Sequence, residues 1–504
     1  MPSTFFGYEV AKSGLFTNQV ALNVTAHNLM NAETKGYTRQ RINQQQILPF
    51  SALSISPLIQ KGTVGAGVLA VNIDQVRDLF LDNALRSQTA KQSAYVVKAD
   101  TLAYAETLFD ETGEGGITNS YHNLLAAFQN LSAGQGAGSL VSRENVRQAA
   151  LALCYSLNSK YDQLVDMQKT IGVQLENGVS DINTIAHGIS ELNGQIYRYE
   201  LCGQNANDLR DKRALLLDQL AEYTDFTLKY DEKGKATVKI GGETLVDGAT
   251  GLYNKIYTDT DGEIKWSKAS VDGSGNVTYT NTGDAVAFQD GYMKAYIDVR
   301  DGTGGSYGIG TLIKRLDDFA KVLVSEINSV HRAGFGLPPN STDGINFFDE
   351  SGPITAGNIR LSDEITKNIG NIAAASKQVI NNLPVETDTE TNEGQNLNIL
   401  DMINTMNGKL TGVFGDTDIS FEEYLRKMVV ELGGEAKLAN QMAENEGMLL
   451  ESYMNKRDSI SGVSIDEEVA NLMKYQRSYE AAARLMTIMD EAVDTLLKMG
   501  LVGR

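Results

Sequence analysis

The chain has 504 residues, with 44 Lys and Arg against 64 Asp and Glu and a formal net charge of −20. That length allows about two to four domains and a sizeable core. The acidic balance argues against a nucleic-acid partner and against an anionic membrane surface. No apolar run is long enough to span a bilayer, and the N-terminus lacks a basic region followed by an apolar stretch, which reads as no cleaved signal peptide. Taken alone, that pattern reads as cytoplasmic.

From Phe5 to Met30 the chain reads helical, with Tyr8, Ala11, Leu15, Leu22, Ala26 and Leu29 on one stripe and Asn18 interrupting it. Gly36 fits a turn, Gln40–Leu48 looks extended, and Gly62–Asn72 alternates like a strand or hairpin. Asp74–Asp110, Ile117–Leu131, Arg143 to about Tyr199, and Asn207–Glu222 read as helices of a bundle. From Phe226 to Arg300 the pattern changes to short alternating strands such as Ala236–Ile240 and Asn276–Thr280. Turn signals separate them at Lys233-Gly234, Gly241-Gly242, Asp261-Gly262 and Asp272-Gly273. Helix returns at Gly310–Arg332, with Leu312, Leu316, Phe319, Leu323 and Ile327 on one face. Pro338–Leu383 is loop-rich, Glu386–Gly394 is an acidic linker, and further helices are expected at Asn396–Met406, Phe421–Leu432 and Ala436–Ser459. Cys154 and Cys202, the only cysteines, sit in helical surroundings and read as buried unpaired thiols.

The last stretch organises the rest. Ser464-Ile465-Asp466-Glu467 is an S-x-x-E capping box, in which the serine accepts from an early N–H and the glutamate reaches back to the cap. Leu472, Tyr475, Tyr479, Ala482, Met486, Met489, Val493 and Leu496 then form a heptad seam that closes at Gly500. This helix ends the sequence, so its seam needs a partner from far away in the chain or from another molecule. The N-terminal stripe is the candidate, and the two fit a coiled coil; the same stripes also fit ordinary core contacts within one globule. The expected fold is mainly α with an inserted β domain. Residues 1–45 and 462–504 would form a terminal coiled-coil domain, loose in the single chain. Residues 46–225 and 301–461 would form a helical bundle, and residues 226–300 an outward β module.

No catalytic constellation stands out. His27, His122, His187 and His331 are scattered, with no zinc-ligand spacing. Gly304-Gly305-Ser306-Tyr307-Gly308 satisfies G-x-S-x-G, with His331 as base and Asp317 or Asp318 as acid in a hydrolase reading. Against it, both aspartates share one helix with His331, about 20 Å away along it. Thr258–Glu263 lacks two ligands of a calcium loop and is better explained as a hairpin turn.

Ser13-Gly14-Leu15, then Ala26-His27-Asn28-Leu29 and Asn31 through Gly36-Tyr37, resemble the N-terminal signature of bacterial flagellar axial proteins of the rod, hook and hook-associated kinds. Thr38-Arg39-Gln40 narrows the resemblance to the hook-associated protein 1 family, whose members form the first hook–filament junction. Ser461–Glu468, Asn471-Leu472, Tyr475-Gln476, Tyr479 and Ala482-Ala483 are similar to that family's C-terminal signature. Gly203–Arg213 and Glu326–Gly334 match internally.

The resemblance implies a structural, non-enzymatic protein without cofactor or metal. It implies export unfolded through the flagellar type III channel to an extracellular site, without a cleaved signal. It further implies a homo-oligomeric ring at the hook tip, between hook protein below and the second junction protein (hook-associated protein 3) above, and an export chaperone on the C-terminal helix. The expected assembly and chaperone contacts are Leu15, Leu22, Leu29, Leu472, Tyr475, Tyr479, Met486, Met489, Val493 and Leu496. Tyr475, Tyr479, Met486 and Met489 are the choices for helix-in-groove contact. The alternatives are another axial protein (hook or distal rod) and, remotely, a secreted hydrolase using Ser306.

Overall fold

The computed structural model of the protein describes residues 6–47, 67–109, 116–133, 136–302, 307–337, 344–376, 395–410, 414 and 418–501. The chain is mainly α with small antiparallel sheets. It divides into two compact units. The first holds Met1–Ser93, Gly178–Gly291 and Asn445–Arg504, and the second Ala94–Asn177 and Tyr292–Glu444.

The first unit carries both ends of the chain. Helix α1 (Phe6–Met30) is followed by a hairpin of β1 (Gln40–Gln46) and β2 (Val68–Gln75), which lies on it. Thr17 Oγ1 donates to Val68 O at 3.2 Å, and Val68 N donates to Ser13 Oγ at 3.2 Å. Helix α2 (Leu79–Phe109) begins here, later than the expected Asp74, because residues 74 and 75 are held in the β1–β2 ladder.

The end of α4 (Leu140–Glu200) and α5 (Asn207–Tyr223) bury Ile182, Ile189, Ile196, Leu217 and Leu220. Onto them pack β3 (Thr227–Tyr230), β4 (Ala236–Ile240) and β5 (Glu243–Val246) as one sheet. Strands β6 (Lys255–Thr258), β7 (Ile264–Val271) and β8 (Val277–Ala285) form another.

Two asparagines of α4 act as surrogate strand residues. Asn193 donates to Ala236 O at 2.8 Å and accepts from Ala236 N at 2.9 Å. Asn183 does the same for Ile256, at 2.9 Å each way. An amide side chain offers the donor and acceptor of a backbone unit, so each strand start is satisfied against a helix flank. Trp266, the only tryptophan, is buried on β7.

The turns follow one recipe. Asp231, Asp259 and Asp272 each accept from backbone N–H groups two and four residues on, and the glycine three residues on takes positive φ: Gly234 71°, Gly262 78°, Gly275 84°. In the third turn the left-handed residue is therefore Gly275, not the expected Gly273. Lys265 pairs with Asp259, so a cation side chain already occupies the loop that faintly resembled a calcium site.

The second unit is a helical bundle. It contains α3 (Ile117–Ser132), α6 (Tyr292–Asp301), α7 (Ile309–His331), α8 (Asp363–Lys367) and α9 (Leu397–Asn407), with a short β9 (Gly334–Phe335) paired to β10 (Ala375–Ser376). It also takes the larger parts of α4 and of α10 (Phe421–Ser461). All five residues of the predicted α7 face are buried completely. Phe319 meets Tyr121 and Phe421 at ring-centroid distances of 6.2 and 5.6 Å, edge-on.

Two sequence expectations change here. Residues Tyr292–Asp301 form helix α6 rather than strand, burying Met293, Ala295 and Val299. And α10 runs unbroken through Gly433-Gly434, where a break was expected. Two glycines cost a helix roughly 1 kcal/mol each; burial of Leu425, Met428, Leu432, Ala436 and Ala439 on one face outweighs that.

Candidate assembly element at the chain termini

Helix α11 (Ile465–Leu501) packs against α1. A side chain grown from Gly7 would meet Met489, and one from Gly14 would meet Ala482, while Asn28 bonds Glu468. From Gly7 to Gly14 to Asn28 the chain advances seven and then fourteen residues. From Met489 to Ala482 to Glu468 it retreats by the same steps. The helices are therefore antiparallel and keep one heptad register along the contact. Small residues at Gly7, Gly14 and Ala21 let the backbones approach.

The buried line on α1 is Ala11, Thr17, Ala21, Val24, Thr25 and Asn28. Leu15, Leu22 and Leu29 lie beside it and are half-buried. On α11, Leu472, Tyr475, Tyr479, Met486, Met489 and Val493 are half-buried as well. Gly7 and Gly14 place the Met489 and Ala482 side of α11 toward α1. The side chain of Leu496 is outside the described residues. The other faces of α11 expose Ile465, Val469, Met473, Leu485, Ile488, Leu497 and Met499. The heptad pattern does not single these out, because they follow one another at intervals of four, four, twelve, three, nine and two, which is not a regular repeat.

Where α1 and α11 meet the rest of their unit, polar groups from three separate segments close on one another. Tyr37 OH donates to Asn28 Oδ1 at 2.7 Å and Gln40 N donates to it at 3.0 Å; Asn28 Nδ2 donates to Gln40 O at 2.8 Å and to Glu468 Oε2 at 3.1 Å. Arg39 reaches Glu468 through Nε and Glu467 through Nη1, both at 2.9 Å. Glu467 therefore does not complete the expected capping box. Its Ser464 half is present at 3.4 Å, but the glutamate is drawn to the guanidinium, a charge-assisted bond stronger than one to a neutral N–H.

Asp211 of α5 accepts from Thr38 N at 3.2 Å and from Gln75 Nε2 at 2.7 Å. Burial pushes its carboxyl up to about 6, while the bonds from Thr38 pull the other way by favouring the charged form. Gly36 takes φ of 83°, and an added Cβ there would press on Leu215 at 3.2 Å. Parts of the N-terminal signature, of the internal stretch Gly203–Arg213 and of the C-terminal signature thus converge on one place. The sequence held the residues but not their meeting.

The hydrolase reading loses its base. His331 is buried, its Nδ1 bonded to Ile345 O at 2.7 Å and its Nε2 accepting from Ala373 N at 2.9 Å. Both nitrogens are thus engaged by backbone, and burial pushes its pKa down to about 4. Asp317 accepts from Ala356 N at 2.7 Å. Ser306 lies outside the described residues. Neighbouring Asn328 holds Phe347 N, Phe348 N and Phe348 O, so the stretch Glu326–Gly334 serves packing.

Cys154 is buried and its thiol is pushed up to about 12 by burial; Cys202, against expectation, is exposed in the turn after α4. Among the described residues no group of three His, Cys, Asp or Glu is placed to hold a metal, and no helix is long and apolar enough to cross a membrane.

Residues 102–348 match the family described as flagellar hook-associated protein FlgK helical domain, and residues 455–499 match the flagellar basal body rod FlgEFG protein C-terminal family. The chain is 30% identical to flagellar hook-associated protein 1 of Bacillus subtilis, with 100% of each sequence covered. It is 22% identical to the protein of that name from Salmonella typhimurium, covering 97% of this chain and 99% of the relative. A solved structure titled as the flagellar hook junction protein FlgK from Burkholderia pseudomallei shares the fold. Its TM-score is 0.57 at 13% identity, over 75% of this chain and 100% of that one. The chain belongs to the flagellar hook-associated protein 1 family and is a structural component of the bacterial flagellum.

Proposed function

We propose that the protein joins hook to filament, as a ring of copies assembled through α1 and α11 at the hook tip. The observation that carries this is the two-sided terminal pair. One side of α11 is closed on α1, and its remaining faces present an apolar series from Ile465 to Met499. Exposed apolar surface of this extent on a terminal layer marks contact with other proteins. Each such side chain covered on assembly contributes roughly 1.5–3 kcal/mol. The hook protein would lie below the ring and the second junction protein above it.

The protein would leave the cell unfolded through the flagellar export channel, and act without a catalytic step. An export chaperone would hold the C-terminal helix in that unfolded chain. Tyr475, Tyr479, Met486 and Met489 are then free of α1, whereas in the folded chain the same side of the helix is shared with it. The domain roles follow: residues 1–45 and 462–504 as the inner, assembly-forming part, the bundle and β module outside.

Cells carrying a chain without residues 464–499 test the reading. Flagellin is expected to be secreted as monomer instead of polymerising, and normal filaments in those cells would overturn it.

A further inference from the structure

We propose that the start of α5 is the anchor that holds both terminal helices in place, so that α1 and α11 dock and undock together. This is independent of what the helices bind.

Thr38 to Gln40 lead from the turn at Gly36 into β1. This short segment is gripped from two sides. On one, Asp211 takes the Thr38 N–H, and Asn207, also buried, donates to the Gln40 side chain at 3.3 Å and to Ile73 O at 2.9 Å. On the other, Arg39 N donates to Ser461 O at 2.9 Å, and the Arg39 side chain holds Glu467 and Glu468. Arg39 O in turn accepts from Val76 N at 2.8 Å, and Gln75 reaches Asp211. The segment is thus a strap between α5 and the first turn of α11, while Asn28 ties the end of α1 to the same strap through Gln40.

Buried polar groups make such a strap all-or-none. Glu468 is 2% exposed and Asn28 1% exposed. A carboxylate that deep persists only while Arg39 and Asn28 both reach it. Those two reach it only while Thr38 and Gln40 sit against α5. Withdrawal of the Asp211 acceptor strands the Thr38 N–H and leaves the Gln75 amide only Asn207 O, at 3.1 Å, which shifts the strap toward water. Glu468 then loses its partners, and the α1 side of the seam is left with glycine, alanine, threonine and the single buried valine Val24. Helices of that kind are marginal without tertiary support.

Hydrogen exchange on the full chain tests this. In Asp211→Ala, amides of α1 from Ala11 to Asn28 and of α11 from Glu468 to Val493 are expected to exchange at least tenfold faster, by a common factor. Those of α7, in the other unit, should be unchanged. Lys212→Ala, an exposed neighbour on the same helix, should change exchange less than twofold. Should Asp211→Ala fail to fold, Asp211→Asn serves. Its oxygen still accepts from Thr38, but its amide opposes that of Gln75, and a common rise of at least threefold is expected. Unchanged protection, or loosening of only one terminal helix, overturns the proposal.

Discussion

Asn28 Nδ2 donates to Glu468 Oε2 at 3.1 Å across 440 residues of sequence, and both side chains are buried. The bond fixes the axial register of α1 on α11 at the end nearest the rest of the unit. Glu468→Ala leaves Arg39 Nε without its buried acceptor and should cost about 2–3 kcal/mol in denaturant unfolding. Glu468→Gln, which keeps the shape and one acceptor oxygen, should cost less than the alanine variant. Equal losses would mean that the charge carries the effect and the retained shape adds nothing.

Asn193 serves three partners: both polar groups of Ala236, and Arg213 Nη1 at 2.7 Å. Asn193→Leu fills the space but leaves those groups buried and unsatisfied, so it should destabilise the first unit by about 2–4 kcal/mol. Asn193→Asp restores the acceptor for Ala236 N and Arg213 but not the donor, and should fall between. Thermal unfolding of the three proteins orders them.

Gly14 sits in the middle of α1, and an added Cβ would stand 3.8 Å from Ala482 Cβ, ordinary contact distance. Gly14→Ala should therefore raise stability by about 0.5–1 kcal/mol through helix propensity. Gly334→Ala should do the reverse, since its Cβ would lie 2.2 Å from Asn398 Nδ2. Slower exchange of α1 amides in the first variant and a lowered melting point in the second are the expected readouts.

The element types were legible because long periodic helices and Asp-to-Gly turns write their own physics into the chain. The α7 face and the strand β4 came through residue by residue, whereas the two ends came through as a pair of helices and not as a set of contacts. The α1 stripe was off by about one residue. Hydropathy favours Leu15, Leu22 and Leu29, whereas close helix approach favours Ala21, Thr25 and Asn28. Helix α10 crossed its glycine pair because tertiary burial overrides local propensity. Nothing local could have told that Glu467 answers Arg39 rather than its own cap, or that Asp211 answers Thr38. Both depend on where distant segments meet.

His331 makes the second unit acid-sensitive. Its folded pKa of about 4 lies below the ordinary 6.5, so the unfolded chain binds the extra proton first. The stabilisation is complete above pH 6.5 and is lost as pH falls toward 4, amounting to roughly 3 kcal/mol over that window. In His331→Asn the protein should be less stable at pH 7, but its stability should depend less on pH between 6.5 and 4. Parallel pH profiles for the two proteins would show that another group carries the acid loss.

Ile488 is 59% exposed on a face of α11 directed away from its own chain's core. Met473 and Leu485 are exposed on the same helix. Ile488→Lys places a charge where nothing in the single chain is disturbed, so its unfolding free energy should stay within about 0.5 kcal/mol of wild type. In an assembled ring the same lysine would have to be covered by an apolar neighbour, at a cost of several kcal/mol for each unpaired charge. The variant should therefore be secreted and fold normally, yet fail to accumulate at hook tips, with flagellin lost to the medium. Tyr475→Lys, on the side facing α1, should instead lower the melting point of the isolated chain. That difference in melting behaviour separates a residue reserved for neighbours from one already used within the molecule. If Ile488→Lys assembled at wild-type levels, the apolar series on α11 would not be the ring contact.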